Sequence, residues 1–168
     1  MPHDIRLERV FAHSPERVWA ALTESETLAA WLMRNDFVPA LGHAFHFRKD
    51  PQPGWDGLIH CEVTELEPMK RLAYTWRGQA SGTKTLVCAG VESEAAGKAV
   101  SGIMTSLDTV VRFTLHPEAG GTRLAFEHTG FTGLKGFIVG RVMGMGWRKL
   151  FGKLDAALAR PVASGSAA

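Results

Sequence analysis

Hydrophobic and polar residues alternate along several short stretches of the chain, and a period of two residues predicts β-strands. In the first stretch, residues 4–12, Ile5 and Leu7 alternate with Arg6 and Glu8. Five further stretches follow residue 37, and several are separated by turn-forming residues: 44–49, 56–66, 71–77, 108–116 and 122–129. Because strands joined by short turns cannot be parallel, we predict an antiparallel sheet.

Two short helices are predicted between the first strand and the rest of the sheet. Ser14 can cap the first of them, with Pro15 at its first helical position. The second is predicted from Ser25 as its cap and from the helical spacing of Leu28 and Trp31. Both helices are therefore expected to begin at a serine whose side chain accepts a hydrogen bond from a free N–H group of the helix end. The proline of the first helix has no N–H group to satisfy.

A long helix is predicted from about Lys135 to Ala159. One stripe of its second half is bulky and apolar: Trp147, Leu150, Phe151, Leu154 and Leu158. In the first half the same stripe carries Gly136, Gly140 and Gly144. A glycine inside a helix costs about 1 kcal/mol relative to alanine, so three of them need a reason. We interpret them as making room for a ligand, with close approach of the sheet as the structural alternative.

Two other interpretations of this glycine-rich run are excluded. A membrane span needs about 20 apolar residues, and here Arg141 interrupts the run. A phosphate-binding loop needs a strand that turns tightly into the helix with its glycines at fixed spacing, and this pattern is missing.

The order of elements predicts an α+β fold. A sheet with one apolar face needs a cover, and the last helix is the predicted element long enough to supply it. We therefore expect a curved antiparallel sheet of about six to seven strands wrapped around the C-terminal helix. One domain is predicted over residues 1–160, with a long inserted excursion at 78–107 and a disordered tail at 161–168.

Composition and charge are those of an ordinary globular protein. The 168 residues are 45% hydrophobic and 21% charged, with a formal net charge of +2. No basic cluster predicts nucleic-acid binding, and no apolar stretch predicts a transmembrane segment. The N-terminus lacks the features of an export signal, so we expect a cytoplasmic protein with Cys61 and Cys88 as free thiols.

Several segments resemble the START-like (SRPBCC) superfamily, in particular the branch named for homologues of the heat-shock-protein-90 ATPase activator. The matching segments are "SPERVWAALTESETLAAWL", "GWDGLIHCEVTELEPMKRLAYTWRG", "LDTVVRFTLHPEAGGTRLAFEHTGF" and the late "GMGW". They occur in the same order over roughly residues 5–158. The resemblance implies a helix-grip fold with a cavity between the sheet and the C-terminal helix, where members of the superfamily hold apolar or aromatic molecules. It does not imply one activity, because members include lipid carriers, polyketide cyclases and chaperone activators. The 78–107 excursion departs from the pattern.

Strand periodicity indicates which side chains line such a cavity, because residues two apart share a face of the sheet. On the last predicted strand, for example, Leu124 and Phe126 share a face with His128. The candidate ligand-binding residues are Trp31, Phe45, Phe47, Tyr74, Trp76, Phe113, Phe126, His128, Gly140, Met143, Gly144 and Trp147. An apolar concavity with a few polar groups is typical of a ligand site. The alternative is that the aromatic side chains pack against the helix and leave no void.

His128 and Tyr74 are the candidates for proton transfer. An inward imidazole with a pKa near neutrality could contact a ligand or act as a general acid or base. Alternatively, His128 is hydrogen-bonded to backbone at the end of its strand. Recognisable enzyme and metal motifs are missing, so we assign no catalytic set, no metal and no cofactor.

Three functions remain open. The first is binding of a small apolar or aromatic molecule in the predicted cavity. The second is a cyclase- or hydrolase-like reaction in the same cavity. The third is interaction with a chaperone or another protein, or a homodimer contact, through residues 78–107.

Overall fold

A computed structural model describes residues 3–50, 57–78 and 107–160. The described ends of the predicted excursion, Gly78 and Leu107, belong to two paired strands. The other residues of the excursion, Cys88 among them, and the predicted tail lie outside the described part of the chain. The extent of the single domain therefore stays a prediction.

The predicted α+β fold is confirmed. The elements in chain order are β1 (Ile5–Phe11), α1 (Pro15–Thr23), α2 (Ser25–Trp31), β2 (Arg34–Asn35), β3 (Ala44–Arg48), β4 (Leu58–Glu67), β5 (Arg71–Gly78), β6 (Leu107–Glu118), β7 (Gly121–Thr129) and α3 (Gly133–Ala159). All paired strands run antiparallel, in the order β1-β7-β6-β5-β4-β3-β2. The long C-terminal helix α3 packs against the concave face of this seven-stranded sheet.

The first helix starts as predicted and the second does not. Ser14 accepts a hydrogen bond from the backbone N–H of Arg17 at 3.3 Å, and Pro15 follows at the first helical position. The prediction that Ser25 caps α2 was wrong, because the capping residue is Glu24 and Ser25 is already helical. Instead, the Ser25 hydroxyl donates to the side-chain oxygen of Asn35 at 2.9 Å. This hydrogen bond joins α2 to β2. Strand β2 was not predicted, because its two residues are too few to show a periodicity.

The end of α3 is held by the first helix. The Arg17 side chain donates from Nε and Nη2 to the carbonyl oxygen of Leu158, at 3.1 and 2.7 Å. It also donates to the carbonyl of Arg160. Because the last carbonyls of a helix have no partner within it, these bonds satisfy groups that would otherwise need water. Asp155, one turn earlier, pairs with Arg9 of β1 at 2.9 Å.

The predicted alternation of the strands is confirmed by burial. In β3 to β7 the inward positions are all buried: Phe45, Phe47, Ile59, Cys61, Val63, Leu72, Tyr74, Trp76, Val111, Phe113, Leu115, Leu124, Phe126 and His128. In β1 the alternation is incomplete, because Leu7 is half-buried and Arg9 is exposed. Strand β5 also buries Ala73 and Thr75, which the alternation places outward. The pairing of β4 with β5 shifts register between Val63 and Glu65. There the Thr75 hydroxyl accepts a hydrogen bond from the backbone N–H of Glu62 at 2.9 Å.

The opposite face of the sheet carries charged pairs. Arg112 of β6 lies between Glu65 and Glu127, at 2.7 and 3.5 Å. The hydrogen bond from Arg112 lowers the pKa of Glu65 from its ordinary value. These side chains keep about a third of their surface exposed, so the pairs mark a solvated face and contribute little to stability. The site must be sought on the concave face.

Candidate ligand-binding site

Aromatic rings surround Tyr74 on the concave face of the sheet. The ring centroids of Phe45 and Phe47, on β3, lie 5.2 and 5.8 Å from that of Tyr74. Phe113 of β6 lies at 6.1 Å and Phe37 at 6.4 Å. Phe37 was not predicted, because it lies between β2 and β3, outside any periodic stretch. No strand or helix period in the surrounding sequence indicated it.

The hydroxyl of Tyr74 is buried without a hydrogen-bond partner among the residues that the structure describes. The side chain is fully inaccessible to solvent. Burial and the nearby Cys61 thiol raise its pKa well above the usual value for tyrosine. An unsatisfied buried hydroxyl costs about 1–3 kcal/mol, so this group needs an explanation.

Trp147 of α3 connects the helix to the rest of the aromatic surface. Its ring centroid lies 4.4 Å from that of Phe126 and 5.4 Å from that of Trp76. Trp31 of α2 reaches the same region edge-on to Phe113, at 6.5 Å. Helices α2 and α3 and strands from both halves of the chain therefore converge on one continuous aromatic cluster.

His128 is held by side chains on both of its nitrogens. The indole N–H of Trp147 donates to Nδ1 at 3.1 Å, so Nδ1 carries no proton. The other nitrogen, Nε2, therefore carries the proton and donates to the Thr109 hydroxyl at 2.7 Å. That hydroxyl in turn donates to the backbone carbonyl of Trp76 at 2.9 Å. Each donor in this series of hydrogen bonds therefore has one acceptor. The series requires the neutral imidazole, because a protonated ring could not accept from the Trp147 indole.

Burial lowers the pKa of His128 from 6.5 to about 3. The prediction of a pKa near neutrality was therefore wrong, because burial of the ring disfavours its charged form. The expectation of a backbone partner was also wrong, since both partners are side chains. These hydrogen bonds tie β7 to α3 and β6.

The glycines of α3 lie against the N-terminal segment and the turn before the helix. A Cβ atom on Gly136 would lie 2.8 Å from the carbonyl carbon of Phe131. On Gly140 it would lie 3.0 Å from the carbonyl oxygen of His3. On Gly144 it would make an ordinary contact of 3.8 Å with Ile5. At Gly136 and Gly140 the chain itself thus approaches closely, because backbone atoms of Phe131 and His3 fill the space that the missing side chains leave. Both residues lie outside the strands, so it is not the sheet that makes the approach.

The structure brings the other predicted site residues together. Those within the core cluster are Trp31, Phe45, Phe47, Tyr74, Trp76, Phe113, Phe126, Met143 and Trp147. Gly140 and Gly144 are buried on the same side of α3. In the described parts of the chain, no group of three or more His, Cys, Asp or Glu side chains is placed to hold a metal ion. The described helices are all too short or too polar to cross a membrane.

These features define the chain as a helix-grip protein of the START-like (SRPBCC) superfamily. Residues 12–159 match the model of the family described as "Activator of Hsp90 ATPase homolog 1-like protein". The chain belongs to that family, as the sequence resemblance predicted.

Solved structures of similar proteins share the fold over nearly the whole chain. The crystal structure of protein MLL2253 from Mesorhizobium loti is 35% identical, covers 92% of this chain and 96% of its own, and has a TM-score of 0.70. The solution structure of protein BH1534 from Bacillus halodurans is 27% identical, covers the same 92% and 96%, and has a TM-score of 0.64. A search of the curated proteins returns no match.

A third solved structure is that of a dimer. The solution structure of the Aha1 dimer from Colwellia psychrerythraea is 20% identical, covers 92% of this chain and 95% of its own, and has a TM-score of 0.63. This likeness concerns the fold alone.

Proposed function

We propose that the protein binds a small, uncharged aromatic molecule that carries one hydrogen-bonding group, between the concave face of the sheet and α3. The buried, unpartnered hydroxyl of Tyr74 is the observation that carries the proposal. A ligand oxygen within hydrogen-bond reach of this hydroxyl would remove the cost of its desolvation. The surrounding phenylalanine rings would contact the apolar body of the ligand.

The ligand is uncharged because the buried surface offers no counter-charge. Among the described residues, the buried polar side chains besides Tyr74 are four threonines and the neutral His128. An ion moved into such surroundings without a partner would pay a large desolvation penalty. His128 and Thr109 already satisfy each other, which leaves Tyr74 as the group available to the ligand.

The enzymatic alternative has less support from the same residues. The lone pair of His128 Nδ1 is occupied by the Trp147 indole, and the low pKa keeps the ring neutral. The raised pKa of Tyr74 makes it a poor proton donor. The interaction-module alternative rests on the family description, and the residues of the concave face add nothing to it. Binding is therefore the proposed function.

Titration with two naphthalene derivatives tests the proposal. Naphthol is neutral and has one hydroxyl, whereas naphthalenesulfonate has the same ring system and a fixed negative charge. We expect naphthol to quench the fluorescence of Trp76 and Trp147 saturably at one site per chain, with a dissociation constant at least about tenfold below that of the sulfonate. Failure of naphthol to saturate, or equal binding of the two compounds, would overturn the proposal.

A further inference from the structure

The first half of α3 exposes apolar side chains on the face that points away from the sheet. Leu134 is 76% exposed, Met145 57%, Ile138 42% and Phe137 39%. Leu134, Ile138 and Met145 are spaced four and seven residues apart, so they form one row along the helix. We call these four side chains the outer apolar face of α3. A row of large exposed apolar residues on one element points to a contact surface.

The charges that α3 itself carries beside this face are all positive. The helix carries five basic residues before its first acidic one, Asp155: Lys135, Arg141, Arg148, Lys149 and Lys153. Arg141 lies within the row of exposed apolar residues, and its guanidinium carbon is 5.7 Å from the centroid of the Phe137 ring. The negative charge of Asp155 is paired with Arg9. The face thus combines exposed apolar side chains with unneutralised positive charge.

A second copy of the chain fits this face poorly. Two-fold pairing of the same face would bring the two Arg141 side chains and their basic neighbours together. Like charges at an interface core oppose association, and the described part of α3 offers no carboxylate there to offset them.

An anionic lipid surface fits both features. Helices that lie in the membrane interface insert apolar side chains among the acyl chains while their lysines and arginines contact anionic headgroups. The long side chain of Arg141 can extend to the headgroups while its stem lies beside the apolar residues. The four side chains lie on one side of a single helix, and a helix surface is convex, which suits a fluid surface better than a shaped protein partner.

We propose that the outer apolar face of α3 docks the protein on anionic phospholipid bilayers. The docking is peripheral and reversible, because four apolar side chains and a few basic ones give a modest affinity. It does not depend on a ligand between the sheet and α3.

Flotation with phospholipid vesicles tests this docking. The vesicles contain phosphatidylcholine alone, or phosphatidylcholine with about one third phosphatidylserine. We expect the wild-type chain to float with the anionic vesicles, and about 0.5 M salt to release most of it. The double variant Leu134→Glu with Met145→Glu should lose at least about tenfold in bound fraction, because it adds two negative charges and removes two inserted side chains. Leu41→Glu changes an exposed leucine outside α3 and should float like the wild type.

As a control for folding, the melting temperature of the double variant is compared with that of the wild type. We expect the two to be equal, because both substituted side chains are exposed. Absence of wild-type flotation, equal flotation with neutral vesicles, or unchanged flotation of the double variant would each overturn the proposal. The proposal would also be overturned, in favour of a second copy, if the wild type and Leu41→Glu formed a concentration-dependent dimer and the double variant did not.

Discussion

His128 and Tyr74 were both predicted to point inward, and their surroundings give them opposite roles. Both nitrogens of His128 are satisfied by Trp147 and Thr109, whereas the hydroxyl of Tyr74 has no partner in the described residues. Strand periodicity could predict the direction of each side chain. It could not predict their partners, because Trp147 and Thr109 come from a distant helix and another strand.

The buried His128 should make the stability of the protein fall as the pH is lowered. Its pKa is about 3 in the folded protein, against 6.5 for an unperturbed histidine. Between these two values the unfolded chain binds a proton that the folded protein does not. The contribution of His128 to the free energy of unfolding should therefore be fully present above pH 6.5. Below that pH it should decrease by up to about 1.4 kcal/mol per pH unit.

Urea unfolding of the His128→Gln variant measures this contribution. The variant should be less stable than the wild type at neutral pH, because Trp147 loses its acceptor, and its stability should depend less on pH between about 6.5 and 4. The exposed His116→Gln is the control and should keep the wild-type slope. A His128→Gln variant with the full wild-type slope would show that another group titrates.

At the scale of the element, α3 shows what its glycines do. The helix was predicted within two residues of its observed start, because its apolar stripe has a clear helical period. Whether the glycines leave room for a ligand or for the chain itself could not be decided from the sequence. The decision depends on the positions of His3 and Phe131, which approach Gly140 and Gly136 from outside the helix.

Three alanine substitutions distinguish the glycines by their surroundings. Gly152→Ala meets no atom within 4 Å and Gly144→Ala meets Ile5 at 3.8 Å. Each should raise the free energy of unfolding by about 1 kcal/mol, since alanine is the better helix former. Gly136→Ala places a Cβ 2.8 Å from the Phe131 carbonyl carbon and should lower it by about 1–3 kcal/mol. Thermal or urea unfolding checks the three values against the wild type.

Equal stabilisation by all three substitutions would contradict the close approach at Gly136. The exposed Gly152 serves as the internal control, because it reports the helix propensity without any packing contribution.

At the scale of the whole molecule, the antiparallel sheet, its inward-facing residues and the covering helix could all be predicted. These features follow from period-two and helical patterns together with short turns, which are local properties of the sequence. The two-residue strand β2, the wrong cap at Ser25 and the unpredicted Phe37 lie where no pattern extends over enough residues. The sequence predicted which aromatic side chains face the site. It could not predict that the Tyr74 hydroxyl has no partner among the described residues, because this depends on three-dimensional contacts.

The central claim is that the Tyr74 hydroxyl anchors a ligand in the aromatic site. The most direct test is the ratio of the naphthol dissociation constants of the Tyr74→Phe variant and the wild type, with naphthalene as the ligand that lacks a hydroxyl. The substitution removes one oxygen and keeps the ring contacts. We predict naphthol binding about three- to tenfold weaker in the variant, as expected for the loss of one hydrogen bond, and unchanged naphthalene binding. Equal naphthol affinities in the variant and the wild type would contradict the claim.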